Sequence, residues 1–332
     1  MSDQASSATV GVLDQFQSEL VDAWQRVPNK GFFLVLLVAW LALFQFLGNS
    51  ILGYVDTHSL FAWLNESYNS PNEVSQNDAH GNFIPFLVLG LLWWKRKDWL
   101  EAQLRLWLPA LAIVLVAILV HVMGYSLQVP QISVVALFLG IYGLTGLAWG
   151  PQWLVRTFFP FFLFAFSVPL GNHTDFITFR LRLLVCQLVE FICRDLLVIP
   201  VLREGTMLFD ATRTYQYDVA APCSGIRSLI AIFLLSTSYA FIVFRPWWKR
   251  ILLILMTFPF AVLGNLIRML CIILAAEIGG QSAGNYVHES GFFSLLPYVP
   301  AILGVFLLGH WLGDRKSNRA ESKNTESEIT AT

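Results

Sequence analysis

The sequence predicts an all-α polytopic membrane protein of about eight transmembrane helices, with an interfacial helix and a small β-ribbon inserted outside the membrane ahead of the sixth span. Three observations lead there. The chain is 56% hydrophobic and only 13% charged, with a mean hydropathy of +0.61, too apolar for a domain built in water. Several of its apolar runs reach the ~20 residues that cross a bilayer as a helix. Lysine and arginine are gathered on alternate connections between those runs, as the positive-inside rule requires.

Residues 1–30 form a cytoplasmic N-terminal segment. Leu13, Phe16, Leu20, Trp24 and Val27 recur at helical spacing, which predicts an amphipathic helix on the membrane surface. The polar, partly acidic start lacks the layout of a cleavable export signal. Spans are expected at 31–52, 82–94, 106–124, 132–149, 157–171, 224–244, 251–276 and 293–312, the second and fifth being short. Fourteen of the 21 Lys and Arg flank these spans on one side, whereas the connections 53–81, 125–131 and 277–292 contain none. Both termini are therefore expected in the cytoplasm. The loop 65–81 is polar and turn-rich, an outer connection, and the charged, Ser/Thr-rich residues 314–332 are expected to be a disordered cytoplasmic tail.

The other seven basic residues are Arg180, Arg182, Arg194, Arg203, Arg213, Arg227 and Arg268, and none fits the positive-inside pattern. Five of them fall in 172–222, an extracytoplasmic insert. Within it, 174–198 reads as a helix lying along the interface or packed on the bundle. Residues 199–219 read as a β-ribbon, with 207–209 and 215–219 as its arms around a turn-rich 210–214. The ribbon delivers the chain to Ala221-Pro222-Cys223-Ser224-Gly225-Ile226-Arg227-Ser228 at the outer boundary.

Pro222, Ser224 and Gly225 suit the start of a helix. A helix beginning there aims its unpaired N–H groups and positive dipole end at the Cys223 sulfur. Arg227, four residues on, shares that face. Both effects favour the thiolate, the form a cysteine nucleophile needs. A single cysteine is more often a buried, inert thiol, so the remainder of the chain must carry the argument. Cys186 and Cys193, seven apart, share a helix face but are too distant to bond, and read as core residues. No Cys/His metal spacing, no basic tract for nucleic acid and no cofactor motif is present.

Arg268 lies inside the seventh span, where an unsupported arginine costs about 3 kcal/mol to insert, and Asn265 is on the same face. His288 lies in 284–291, read as an outer loop before the last span. Cysteine, arginine and histidine thus converge on one boundary from three successive segments. In that arrangement Cys223 attacks an amide carbonyl, His288 passes the proton to the leaving amine, and Arg268 stabilises the oxyanion. His121 reads as a buried histidine satisfied by a neighbouring helix; His58, His173 and His310 read as loop or interface residues.

These residues resemble the exosortase family, the membrane cysteine transpeptidases of the exosortase/archaeosortase group. The resemblance is carried by several pieces, in order. They are His80-Gly81-Asn82-Phe83-Ile84-Pro85 followed by Trp93-Trp94-Lys95-Arg96, Phe159-Pro160-Phe161-Phe162-Leu163 with Val168-Pro169-Leu170, and Ile199 to Gly205. The segment 221–228, Asn265-Leu266-Ile267-Arg268 and His288 complete it. It covers roughly 80–310, within a membrane domain 31–313. It implies a Cys223–Arg268–His288 triad, with His80, Arg203, Glu204, Ser224, Gly225, Arg227 and Asn265 supporting it or binding substrate. It also implies a reaction: cleavage of C-terminal PEP-CTERM-type sorting signals on exported proteins, each a Pro-containing motif, a transmembrane helix and a basic tail. The acyl group then passes through a thioester to an amine on a surface polysaccharide or lipid-linked acceptor. The location implied is the bacterial inner membrane with an outward-facing site. The competing expectation is a non-catalytic component of exopolysaccharide synthesis or export, its aromatics and outer arginines holding glycan; a transporter is disfavoured, since no internal repeat is found.

Overall fold

The structure, a computed structural model, describes residues 2–51, 56–70, 78–170, 175–218, 226–290, 293, 295 and 298–329. The chain divides into two compact units, Met1–Leu170 and Gly171–Thr332.

The first unit is helical. Its helices are α1 (Ser2–Arg26), α2 (Lys30–Leu47), α3 (Leu60–Asn69), α4 (Ile84–Trp94), α5 (Arg96–Leu100), α6 (Leu111–Leu127), α7 (Pro130–Trp149) and α8 (Pro151–Phe162). Helix α7 is its centre, buried along most of its length against α2 and α6. Proline at its first position costs no hydrogen bond there. Polar tips that enter this core find main-chain acceptors: Trp40 Nε1 donates to Leu137 O at 3.0 Å and Trp149 Nε1 to Pro28 O at 2.9 Å. The N-terminal residues form helix α1, joined to the basic turn after α4 by the Arg96–Glu19 ion pair and a Phe16–Trp93 edge contact. His121 is satisfied as expected, its ring nitrogens 3.1 Å from Ser133 Oγ and from Leu47 O.

The second unit begins with α9 (Asp175–Phe191), which ends in a π-turn over Ile192–Leu196. A three-stranded antiparallel sheet follows, β1 (Val201–Glu204), β2 (Met207–Asp210) and β3 (Gln216–Asp218), in the order β1-β2-β3. The sequence had suggested two arms; Val201–Glu204 is a third, its alternation of buried and exposed residues being too short to stand out. The remaining helices are α10 (Ile226–Val243), α11 (Trp247–Leu255), α12 (Thr257–Glu289) and α13 (Tyr298–Ile329). Val201 and Leu208 of the sheet are fully buried with Val185, Cys186 and Val189 of α9 and Ile272 and Ile273 of α12. Burying a Leu208-sized side chain contributes about 2 kcal/mol. The β2–β3 connection is wound on one carboxylate: Asp210 accepts from Tyr215 N at 3.1 Å, Thr212 N at 3.2 Å, Thr214 Oγ1 at 2.8 Å and Thr212 Oγ1.

Four helical runs among the described residues are long and apolar enough to cross a membrane: Lys30–Leu47, Leu108–Leu127, Pro130–Trp149 and Trp247–Glu289. Three shorter apolar helices, Ile84–Trp94, Leu229–Val243 and Tyr298–Gly313, coincide with other expected spans. The fifth expected span, 157–171, differs. Helix α8 starts earlier, at Pro151, carries Pro160 inside, and gives way to a 3-10 turn over Leu163–Ser167. Helical backbone also continues through 314–329.

Candidate active site

Helix α12 is the element around which the candidate residues gather. It is one run by hydrogen bonding, but Gly280 has φ 72° and ψ −173°, a backbone region open essentially to glycine alone. The run is therefore two limbs, before and after Gly280, and they fold back on each other. Gly284 shows how closely: a Cβ built there would lie 2.9 Å from Ala276 Cβ and 1.9 Å from the Tyr217 hydroxyl.

The reversal brings Arg268 and His288 together. They are 20 residues apart, which in a straight helix is about 30 Å. Instead, Arg268 Nη2 donates to His288 O at 3.3 Å. His288 sits in the last turn of α12, one residue before its end, where carbonyls lack intrahelical partners and the dipole is negative, so a guanidinium is favoured there. His288 is thus on a helix rather than in the loop the sequence had suggested. The Gly279-Gly280 pair was the available signal: it interrupts the helix without ending it, and 281–289 contain nothing that stops a second turn.

Strand β3 is fastened to the same second limb. Gln216 N donates to Gln281 Oε1 at 2.8 Å, Gln281 Nε2 returns to Gln216 O at 3.4 Å, and the Tyr217 hydroxyl donates to Gln281 O at 3.2 Å. The Tyr217 ring lies over the His288 imidazole, centroids 6.4 Å apart and 25° from parallel. Neither Tyr217 nor Gln281 stood out in the sequence. The Tyr215-x-Tyr217 alternation was the clue, since period two puts both rings on one face of a strand. Tyr215 is buried, and its hydroxyl donates to Glu277 Oε2 at 3.2 Å. Asp210, Thr214, Tyr215 and Glu277 line a polar cavity of about 280 Å³ beside Gly280. Burial opposes ionisation of Asp210, but the bonds from Thr212, Tyr215 and Thr214 outweigh it and hold its carboxyl well below the usual range.

The other predicted residues are placed as follows. Asn265 is buried, 2% exposed, and neither its Oδ1 nor its Nδ2 has a hydrogen-bond partner; Arg268 Nε is likewise buried and unpartnered. Arg203 does not face Arg268: its guanidinium pairs with Glu190 at 2.9 Å and donates to Gly205 O at 3.2 Å, tying the β1–β2 hairpin to α9. Glu204 is exposed at the end of β1, opposite Met207. His80 belongs to the first unit, in a 3-10 turn over Ala79–Asn82. Cys223, Ser224 and Gly225 lie outside the described residues, as does the side chain of Arg227, the second residue of α10.

Two of the remaining cysteines are poor nucleophiles by position. Cys186 and Cys193 are fully buried, and burial, helped by the Glu277 charge, pushes the Cys193 thiol up to about 11. Among the described residues no group of His, Cys, Asp and Glu is arranged to hold a metal ion.

The fold and this cluster define a membrane protein with several apolar helices and an arginine–histidine pair assembled within one broken helix. The family model for transmembrane exosortases, Exosortase_EpsH, matches residues 63–307. The chain belongs to the exosortase family. No curated protein and no solved structure matches it.

Proposed function

We propose that the chain is a cysteine peptidase/transpeptidase that cuts C-terminal sorting signals of the PEP-CTERM kind from exported proteins and transfers the trimmed proteins to a surface acceptor. The observation that carries this reading is the Arg268–His288 contact across the Gly280 reversal, in a family of transmembrane exosortases. Sequence separation supports a reading in which Cys223 acts beside that contact. It lies five residues beyond Asp218, the last residue of the strand clasped to the His288 limb, which is at most about 17 Å of extended chain.

In the reaction, the Cys223 thiolate adds to the carbonyl carbon of the scissile amide, and the negative charge moves to the carbonyl oxygen. Arg268 supplies N–H donors to that oxyanion. Collapse breaks the C–N bond, the leaving nitrogen takes a proton from His288, and a thioester on Cys223 remains. An amine on a polysaccharide or lipid-linked acceptor, its proton taken by His288, then displaces the thiol; water in its place gives hydrolysis. The positive-inside pattern supports cytoplasmic termini and an outward-facing site in a bacterial inner membrane, where a bond just outside a substrate's transmembrane helix is within reach.

The test is Cys223→Ala, with membrane accumulation checked, against a co-expressed reporter bearing a Pro-containing motif, an apolar helix and a basic tail. Processing should be abolished. Unchanged processing would overturn the nucleophile assignment and favour the binding-component alternative.

A further inference from the structure

We propose that Asn265 docks the substrate's main chain, its carboxamide engaging the peptide groups at the point where the substrate's transmembrane helix begins. This rests on the transpeptidase reading above and names a contact inside that site.

The starting point is an unbalanced side chain. Asn265 is 2% exposed in a membrane-spanning helix, and neither end of its carboxamide is hydrogen-bonded. A carboxamide offers two donors and two acceptor lone pairs. Within a bilayer only protein or trapped water can meet them. Left unpaired, the group destabilises the helix that carries it, whereas leucine in its place would not. Three residues on, and so on the same face, Arg268 also holds a buried N–H, at Nε, without a partner. Two adjacent residues with orphaned groups, one of them in contact with His288, mark a place that a ligand completes.

The orphaned atoms describe the ligand. One acceptor flanked by donors is the complement of a peptide backbone. Along most of a transmembrane helix that backbone is already paired, but the N–H groups of its first turn are not. The residues ahead of that turn, extended around proline, still carry free carbonyls. Asn265 Oδ1 accepts from a first-turn N–H of the substrate, while Asn265 Nδ2 and Arg268 Nε donate to the carbonyls before it. Such contacts ignore side-chain identity. They read where the helix starts, and so fix which bond arrives at Cys223.

Full-length protein in proteoliposomes, given a synthetic peptide with a Pro-containing segment, an apolar helix and a basic tail, supplies the test. Asn265→Leu should raise the thermal midpoint and raise KM by about tenfold or more, with kcat changed less than about twofold. Asn265→Gln, which keeps the amide, should fall between. A wild-type KM in Asn265→Leu would overturn the proposal. A second measurement needs no turnover. In a Cys223→Ala, Cys271→Ala background, Asn265→Cys is oxidatively crosslinked to peptides carrying one cysteine walked through the motif–helix junction. Crosslinks confined to the first helical turn are expected; none, or a spread along the whole helix, would overturn it. If instead wild-type protein leaves the peptide uncut, the transpeptidase reading fails while the crosslinks still decide the docking.

Discussion

In the unit Met1–Leu170, the histidine set into a membrane helix is closed off. His121 has both ring nitrogens engaged, by Ser133 Oγ and by Leu47 O. In the unit Gly171–Thr332, the arginine set into a membrane helix is left open. Arg268 meets no carboxylate among the described residues; it holds one carbonyl through Nη2, and its Nε has no partner. Arg203, in the same unit, shows what a closed arginine looks like, with Glu190 on one side and Gly205 O on the other. The contrast teaches that burial of an ionisable side chain says little about its use. What separates a structural group from a candidate catalytic one is whether its hydrogen-bonding capacity is spent.

The sharpest way to break the contrast is Arg268→Ala. If the open guanidinium stabilises an oxyanion, kcat for reporter cleavage should drop by about 10²-fold or more, with the protein still in the membrane. Arg268→Lys should recover little, because an ammonium lacks the planar fork of donors. Gly280→Val comes next. The residue's φ of 72° and ψ of −173° cost a side chain about 1–3 kcal/mol, so relief by straightening would part Arg268 from His288 and lower processing more than abundance. For the closed groups the expectation reverses. His121→Leu and Glu190→Ala should each lower stability by about 1 kcal/mol, read as a melting shift in detergent, with turnover per folded molecule preserved. The smallest effect concerns Asp210. Its carboxyl is held below its ordinary value by the Thr212, Tyr215 and Thr214 bonds despite burial. Its contribution is therefore complete above the unfolded value of about 4 and is lost as pH falls from there through the folded value. Amide exchange at Tyr215 and Thr212 should stay slow at neutral and mildly acid pH and quicken below that point; Asp210→Ala should remove the dependence.

Much of this was legible in the residues themselves. Apolar run lengths located most helices, since crossing a bilayer requires a length, and that is written directly in composition. The odd placement of Arg268 and the even tenor of Cys186 and Cys193 were readable for the same reason: each is anomalous or ordinary against its immediate neighbours. The return of the chain at Gly280 was not. A glycine pair in an apolar helix is compatible with continuation, a kink or reversal, and only tertiary contacts, here Ala276 against Gly284 and Tyr217 against both His288 and Gln281, choose among them. The strand Val201–Glu204 escaped because its pairing with Met207–Asp210 is a non-local property of a four-residue segment.

The reversal at Gly280 also acts as a ruler. Ala276 and Gly284, in contact, stand equally far from Gly280 on the two limbs, so by helical repeat Ile272 and His288, four residues further along each limb, share one level. Arg268 is one helical turn short of that level, a gap of about 6 Å at 1.5 Å per residue. A side chain as long as arginine's closes it; a short one would not. Lengthening either limb by a single turn would therefore move the guanidinium off its carbonyl without touching either residue, which makes the depth of this cluster in the bilayer a matter of counting.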